Sequence, residues 1–91
     1  MARNANVLIV DDDPALRQTM EAIVKSAGMN SFTAGTGEEA LESIKRSPVD
    51  VMLLDVQLPG ISGLHVLRQV RERHPDIGVI MVSVVKEIPV A

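Results

Sequence analysis

Apolar residues along this chain come in short unbroken runs, separated by stretches in which they recur every three or four positions. Residues 7–10 (VLIV) are the first run. Four aliphatic residues in a row, bounded by polar ones, read as a strand buried on both faces. Leu16, Met20, Ile23, Val24 and Ala27 follow at helical spacing. Asp13 before Pro14 starts this helix: an N-cap, then the residue whose locked φ suits the first turn. Gly28 closes it as a C′ residue. Residues 30–34, around Phe32 and Thr33, read as a weaker second strand. Thr36 and Glu39 have the spacing of a capping box. They open a second helix whose apolar face is Ala40, Leu41 and Ile44, with Pro48 at its end. Residues 49–54 form a third strand, apolar apart from Asp50, that runs into Asp55. The turn-rich loop QLPGISG leads to Ser62 as cap of a third helix, with Leu64, Leu67 and Val70 inward and His74-Pro75 at its end. Residues 77–82 make a fourth buried strand, finishing at Ser83.

Strands alternating with helices of this length imply βαβ units and a parallel sheet, in the order β-α-β-α-β-α-β. A chain of 91 residues holds one such domain, 1–91. The hydrophobic share is 46% with Phe32 the single aromatic residue, so the core is aliphatic and disorder is excluded. The net charge of −3 argues against nucleic-acid contact by this segment, since a phosphate-binding face needs a basic excess. The lack of cysteine excludes a disulfide scaffold and a cysteine-held zinc or iron–sulfur centre, and it fits a cytoplasmic setting. No apolar run is long enough for a signal peptide or a membrane span.

In an open parallel sheet, ligands bind outside the carboxyl ends of the strands, where the strand order reverses. Asp11 and Asp12 follow the first strand, Asp55 the third and Ser83 the fourth. If the first and third strands are neighbours, their ends lie about 4.8 Å apart and three carboxylates crowd together. A divalent cation relieves that repulsion. Mg2+ suits the place, because it takes oxygen ligands and uses one or two carboxylates beside waters and phosphate oxygens. Aspartate is also a nucleophile toward phosphoryl groups, and the Ser83 hydroxyl can donate to a phosphoryl oxygen. Alone, Asp11 and Asp12 read more plainly as a solvated loop with capping charge; Asp55 at a second strand end tips the balance. Asp13 belongs to the helix cap only. Lys86 reads as a solvated loop lysine, and Arg68, Arg71 and Arg73 as a solvated basic face. His65 and His74 lack metal-ligand spacing and read as surface residues of the third helix.

Taken together, "VLIVDDDPALR", "GEEALE", "VDVMLLDVQLPGISGL" and "IGVIMVS" resemble the receiver domain of two-component response regulators, in order and in spacing, over nearly the whole chain. The resemblance implies an α/β, flavodoxin-like three-layer sandwich with a parallel sheet of order 2-1-3-4. It implies that Asp55 accepts a phosphoryl group from a histidine kinase. Asp11 and Asp12 would hold Mg2+ with Asp55 and the backbone carbonyl of Gln57. Ser83 would be the switch hydroxyl, and Pro59, Gly60 and Gly63 would shape the loop after the acceptor. An output domain, as in transcription regulation, would follow in the parent protein. The chain departs from the family after the fourth strand: the fifth strand with its lysine and the fifth helix are missing, so a C-terminally truncated receiver is expected. Exposed aliphatic surface forfeits about 1.5–3 kcal/mol per large side chain. A homo-oligomer or swapped dimer covering the bare sheet face over the first and third strands is therefore expected. Two alternatives compete. A haloacid-dehalogenase-type enzyme also uses a strand-end aspartate with Mg2+, but it needs a second acid where this chain has Gln57. A pseudo-receiver, a binding or oligomerisation module not competent for phosphorylation, is the other.

Overall fold

The computed structural model describes residues 4–82 of the chain. Four parallel strands form one sheet in the order β2-β1-β3-β4. They are β1 (Asn6–Val10), β2 (Asn30–Ala34), β3 (Val51–Asp55) and β4 (Gly78–Val82), joined by helices α1 (Pro14–Ser26), α2 (Gly37–Arg46) and α3 (Gly63–Arg73). The expected element order and the 2-1-3-4 sheet are both present. The unbroken apolar run of β1 has its cause in this order. The strand is central, and every one of its residues is buried.

The two faces carry different helices. Leu8, Val10, Met52 and Leu54 point to the side of α2 and α3, where they meet Ala40, Ile44, Val66 and Val70. Val7 and Ile9 point to the other side and pack with Val24 of α1, Met20, Met29 and Leu53. A shift of one residue in the register would exchange these two sets, so the pairing is strongly specified.

The caps follow the sequence closely. Asp13 accepts from the N–H of Ala15 at 3.0 Å, with Pro14 as the first helical residue. Ala27 caps the end of α1, and Gly28 beyond it takes φ +83°, the left-handed region that a C′ glycine occupies at no steric cost. Ser62 caps α3 by accepting from the N–H of His65 at 3.2 Å. The capping box of α2 is displaced by one residue. Thr36 accepts from the N–H of Glu39, but the Glu39 carboxylate reaches past the cap to the N–H of Gly35.

Several expectations need correction. The fourth strand is not buried: β4 lies at the edge of the described sheet, and Ile80 is 54% exposed. Leu64 faces outward, 53% exposed, and Val66 takes the inward place on α3 because it, with Val70, stands over Met52 and Leu54. Ile23 lies outside the apolar seam of α1, at 64% exposure. The end of α2, by contrast, is as expected from Pro48: the helix stops at Arg46 and Ser47 is already extended. A proline pushes the residue before it out of the helical region, which accounts for Ser47. The face expected to be bare over β1 and β3 is covered at β1, where α1 shields Val7 and Ile9. The exposed aliphatic surface on that face lies at Ile80, beside the half-buried Leu53 with which it pairs.

At the lower end of the sheet, Asn6 ties three strands together. Its N–H donates to Asp50 Oδ2 at 2.7 Å, its carbonyl accepts from the Asp50 N–H, and its side-chain oxygen accepts from Asn30 Nδ2 at 2.8 Å.

Candidate functional site

β1 and β3 are neighbours in register, with Val10 opposite Leu54, so the chain leaves both strands side by side at the upper edge. Asp11 is the residue after β1 and Asp55 the last residue of β3. Asp11 is fully buried and Asp55 is 2% exposed, while Asp12 opens to solvent. Carboxylate oxygens from Asp11, Asp12 and Asp55 lie within 4.8 Å of one another. The three residues singled out by their positions after strands are therefore brought together.

Both buried acids are held by the turn that follows them. Asp11 Oδ1 accepts from the N–H of Asp13 at 2.9 Å, and Asp55 Oδ1 accepts from the N–H of Gln57 at 3.1 Å. Each is an aspartate bonded to the backbone two residues on, a turn the short carboxylate favours. The bond also restrains the rotation of the carboxylate. Asp13, by contrast, is turned away into the cap of α1. Three aspartates in sequence thus have two separate tasks.

The acceptor-side loop is shaped by close approach. Gly63 begins α3 against the backbone of Asp55: a β-carbon there would meet the Asp55 carbonyl oxygen, and it would stand 3.0 Å from Val56 Cα. Its N–H donates to Val56 O at 3.2 Å. Only glycine fits without displacing α3 or the end of β3. Gly60, after Pro59, supplies a positive φ of +75° in the same loop. Ser83 and Lys86 lie outside the described residues.

Three residues near the site were not marked as part of it by the sequence, although Glu39 was read as a capping residue. Arg17 Nη1 donates to the carbonyl of Asp11 at 2.8 Å. Gly35 and Glu39 stand beside that contact. The available signal was the position of Arg17 one turn after Pro14, on the turn of α1 nearest the acids. The histidines take no part in the acidic cluster. His65 contacts Gln69 on the surface of α3, and His74 is its half-buried C-cap.

The donor set is three carboxylates, without nitrogen or sulfur ligands. That is hard-cation chemistry: Asp11, Asp12 and Asp55 could hold a divalent cation such as Mg2+. No helix among the described residues is long and apolar enough to cross a membrane.

Comparison with known proteins agrees with this geometry. The family model of the response regulator receiver domain matches residues 7–91. The chain is 35% identical over 85 residues to the DNA-binding transcriptional regulator NtrC of Escherichia coli strain K12, covering 93% of this chain and 18% of that protein. It is 39% identical over 82 residues to the cell cycle transcriptional regulator CtrA of Caulobacter vibrioides, covering 90% of this chain and 36% of that protein. It thus spans only a minor part of the length of these relatives. Among solved structures it resembles the response regulator TrrA of Thermotoga maritima in complex with Mg2+-BeF, at TM-score 0.85 and 33% identity over 90% of this chain and 71% of that one. A CheY-like receiver domain of Methanospirillum hungatei superposes at TM-score 0.87 and 28% identity, over 94% of this chain and 69% of that one. The fold, the buried acid pair at the ends of adjacent strands and these matches together place the chain in the response regulator receiver domain family.

Proposed function

We propose that this domain is a phosphoacceptor switch in two-component signalling. Asp55 takes a phosphoryl group from the phosphohistidine of a histidine kinase: the Asp55 oxygen bonds to phosphorus as the N–P bond breaks, and the imidazole leaves. Asp11, Asp12, Asp55 and the carbonyl of Gln57 hold Mg2+, which when bound neutralises charge on the phosphoryl oxygens. Ser83 serves as the switch hydroxyl. The domain is a signalling module of the cytoplasm and not an enzyme with a separate substrate. Its phosphorylation state is read by an output region that governs transcription, as the names of NtrC and CtrA describe for those proteins.

The observation that carries this reading is the approach of three carboxylates to within 4.8 Å with the acceptor itself nearly buried. Like charges so placed raise each other's energy, and a cation or an incoming electrophile lowers it. Gln57 supports a switch over a phosphatase, because an amide cannot move the proton that turnover requires.

Incubation of the full chain with acetyl phosphate and Mg2+, followed by intact mass spectrometry, tests it. One added phosphoryl group is expected, and Asp55→Asn should abolish the addition. Absence of any addition to the unaltered protein refutes the acceptor role. Hydrolysis of many equivalents of phosphate ester points to the enzyme instead.

A further inference from the structure

Arg17 has no part in the chemistry assigned so far, yet it touches the acid loop directly. It sits half-buried one turn into α1, and its Nη1 donates to the carbonyl oxygen of Asp11 at 2.8 Å. The N–H of Asp11 is held as well, donating to Ala34 O at 3.1 Å in continuation of the β1–β2 ladder. Both main-chain groups of Asp11 are therefore anchored, one by the sheet and one by a guanidinium.

The carbonyl lies in the rigid peptide plane that joins Asp11 to Asp12. Holding its oxygen sets the tilt of that plane. The tilt sets where the Asp12 Cα stands and in which direction its carboxylate departs. This matters most for Asp12. It is the exposed member of the trio, so core packing contributes little to its direction.

Gly35 makes room for the contact. A β-carbon there would stand 3.1 Å from Arg17 Nη1 and 4.0 Å from Glu39 Oε2. The Gly35 N–H donates to that same Glu39 oxygen at 3.0 Å. The displaced capping box of α2 thus has a local setting. Glu39 forgoes its own cap residue and borders the slot in which the guanidinium lies.

We infer that Arg17 is a positioning residue for the cation site, orienting the Asp12 carboxylate toward Asp11 and Asp55 through the Asp11 carbonyl. The inference rests on the reading of these acids as a Mg2+ site, and the experiment separates the two. Calorimetric titration of the full chain with Mg2+ is the suitable measurement, because the protein has neither tryptophan nor tyrosine to report binding by fluorescence. Arg17→Met keeps the aliphatic stem and deletes the donor. It should weaken Mg2+ binding about tenfold, at the lower end of what loss of an outer-sphere partner does. Arg17→Lys retains a cationic donor and should recover most of the affinity. Gly35→Ala should weaken binding in the same direction by crowding the guanidinium, since the φ of Gly35 is not positive and alanine can adopt its backbone. Thermal melts in EDTA supply the structural control, and the variants should melt close to the unaltered protein.

An unaltered protein that binds no Mg2+ removes the metal-site reading. If it binds, equal affinity in Arg17→Met overturns the positioning role alone. So does an Arg17→Lys variant as weak as Arg17→Met, or a loss of affinity that merely tracks a lowered metal-free melt.

Discussion

Replacing Gly63 by alanine adds one methyl group where the backbone of the acceptor already stands. The new carbon would overlap the Asp55 carbonyl oxygen and come within 3.0 Å of Val56 Cα and 3.1 Å of the Asp55 carbonyl carbon. All three obstacles are backbone, so no side chain can swing aside. Either α3 moves outward or the end of β3 bends. Forcing a methylene-sized group into a packed site costs about 1–3 kcal/mol. The displacement also stretches the hydrogen bond from Gly63 N–H to Val56 O, now 3.2 Å, whose loss costs about 1 kcal/mol. Against this, alanine is favoured over glycine in a helix by about 1 kcal/mol, and less at the first position. The net expectation is a destabilisation of about 1–3 kcal/mol. Urea titration followed by circular dichroism measures it, as a lower midpoint at unchanged slope. The same variant should take up phosphoryl from acetyl phosphate more slowly, because the shift falls on Asp55 itself. A Gly63→Ala protein as stable as the parent, or more so, would show that the close approach is not a constraint and refute the reasoning.

Other consequences follow from the same structure. Asp13→Ala removes the N-cap of α1 and should cost about 1 kcal/mol in urea titration, whereas Asp13→Asn, which keeps the accepting oxygen, should cost little. Met52→Ala empties a fully buried place between β1, α2 and α3 and should cost about 2–5 kcal/mol, while Ile80→Ala on the exposed edge should stay below about 1 kcal/mol by the same titration. Mg2+ at a hundredfold excess over its dissociation constant should stabilise the unaltered protein by about 2.7 kcal/mol, read as a raised melting point. That shift should vanish in Asp55→Ala and reverse on addition of EDTA.

Most of the fold was legible because it rests on local signals that agree with the sheet. Residues 7–10 read as doubly buried and are, since a central strand must be apolar on both sides. Asp13-Pro14, Gly28 and Ser62 marked helix ends by mechanisms that operate within a few residues. What escaped depends on neighbours distant in sequence. Nothing in residues 77–82 tells an edge strand from a central one, so Ile80 read as buried. Leu64 and Val66 are both apolar in the first turn of α3, and only the approach of that helix to Met52 and Leu54 decides which faces inward. At the site, the acids were found by their places after strands, and neighbouring β1 and β3 bring them together. Arg17 was not, because its role lies in a main-chain oxygen six positions away, and main-chain acceptors leave no mark in a sequence.

The tie of Asn6 to Asn30 and Asp50 acts far from the acids, yet it governs them. Five steps of extended chain lead from Asn6 to Asp11, about 16 Å at the rise of a parallel strand. Over that length nothing adjustable intervenes, only rigid peptide units paired rung by rung. The clasp is therefore a common zero from which β1, β2 and β3 are measured. The offset of Asp11 from Asp55 along the strands is the difference of two such lengths, while the strand spacing sets their separation across the sheet. Single-residue insertions or deletions anywhere between the zero and the acids would appear as a miscut at the upper edge, with one carboxylate a full step out of line. Side chains along these strands can be exchanged for others of like size, but the residue count from Asn6 to Asp11, and from Asp50 to Asp55, cannot.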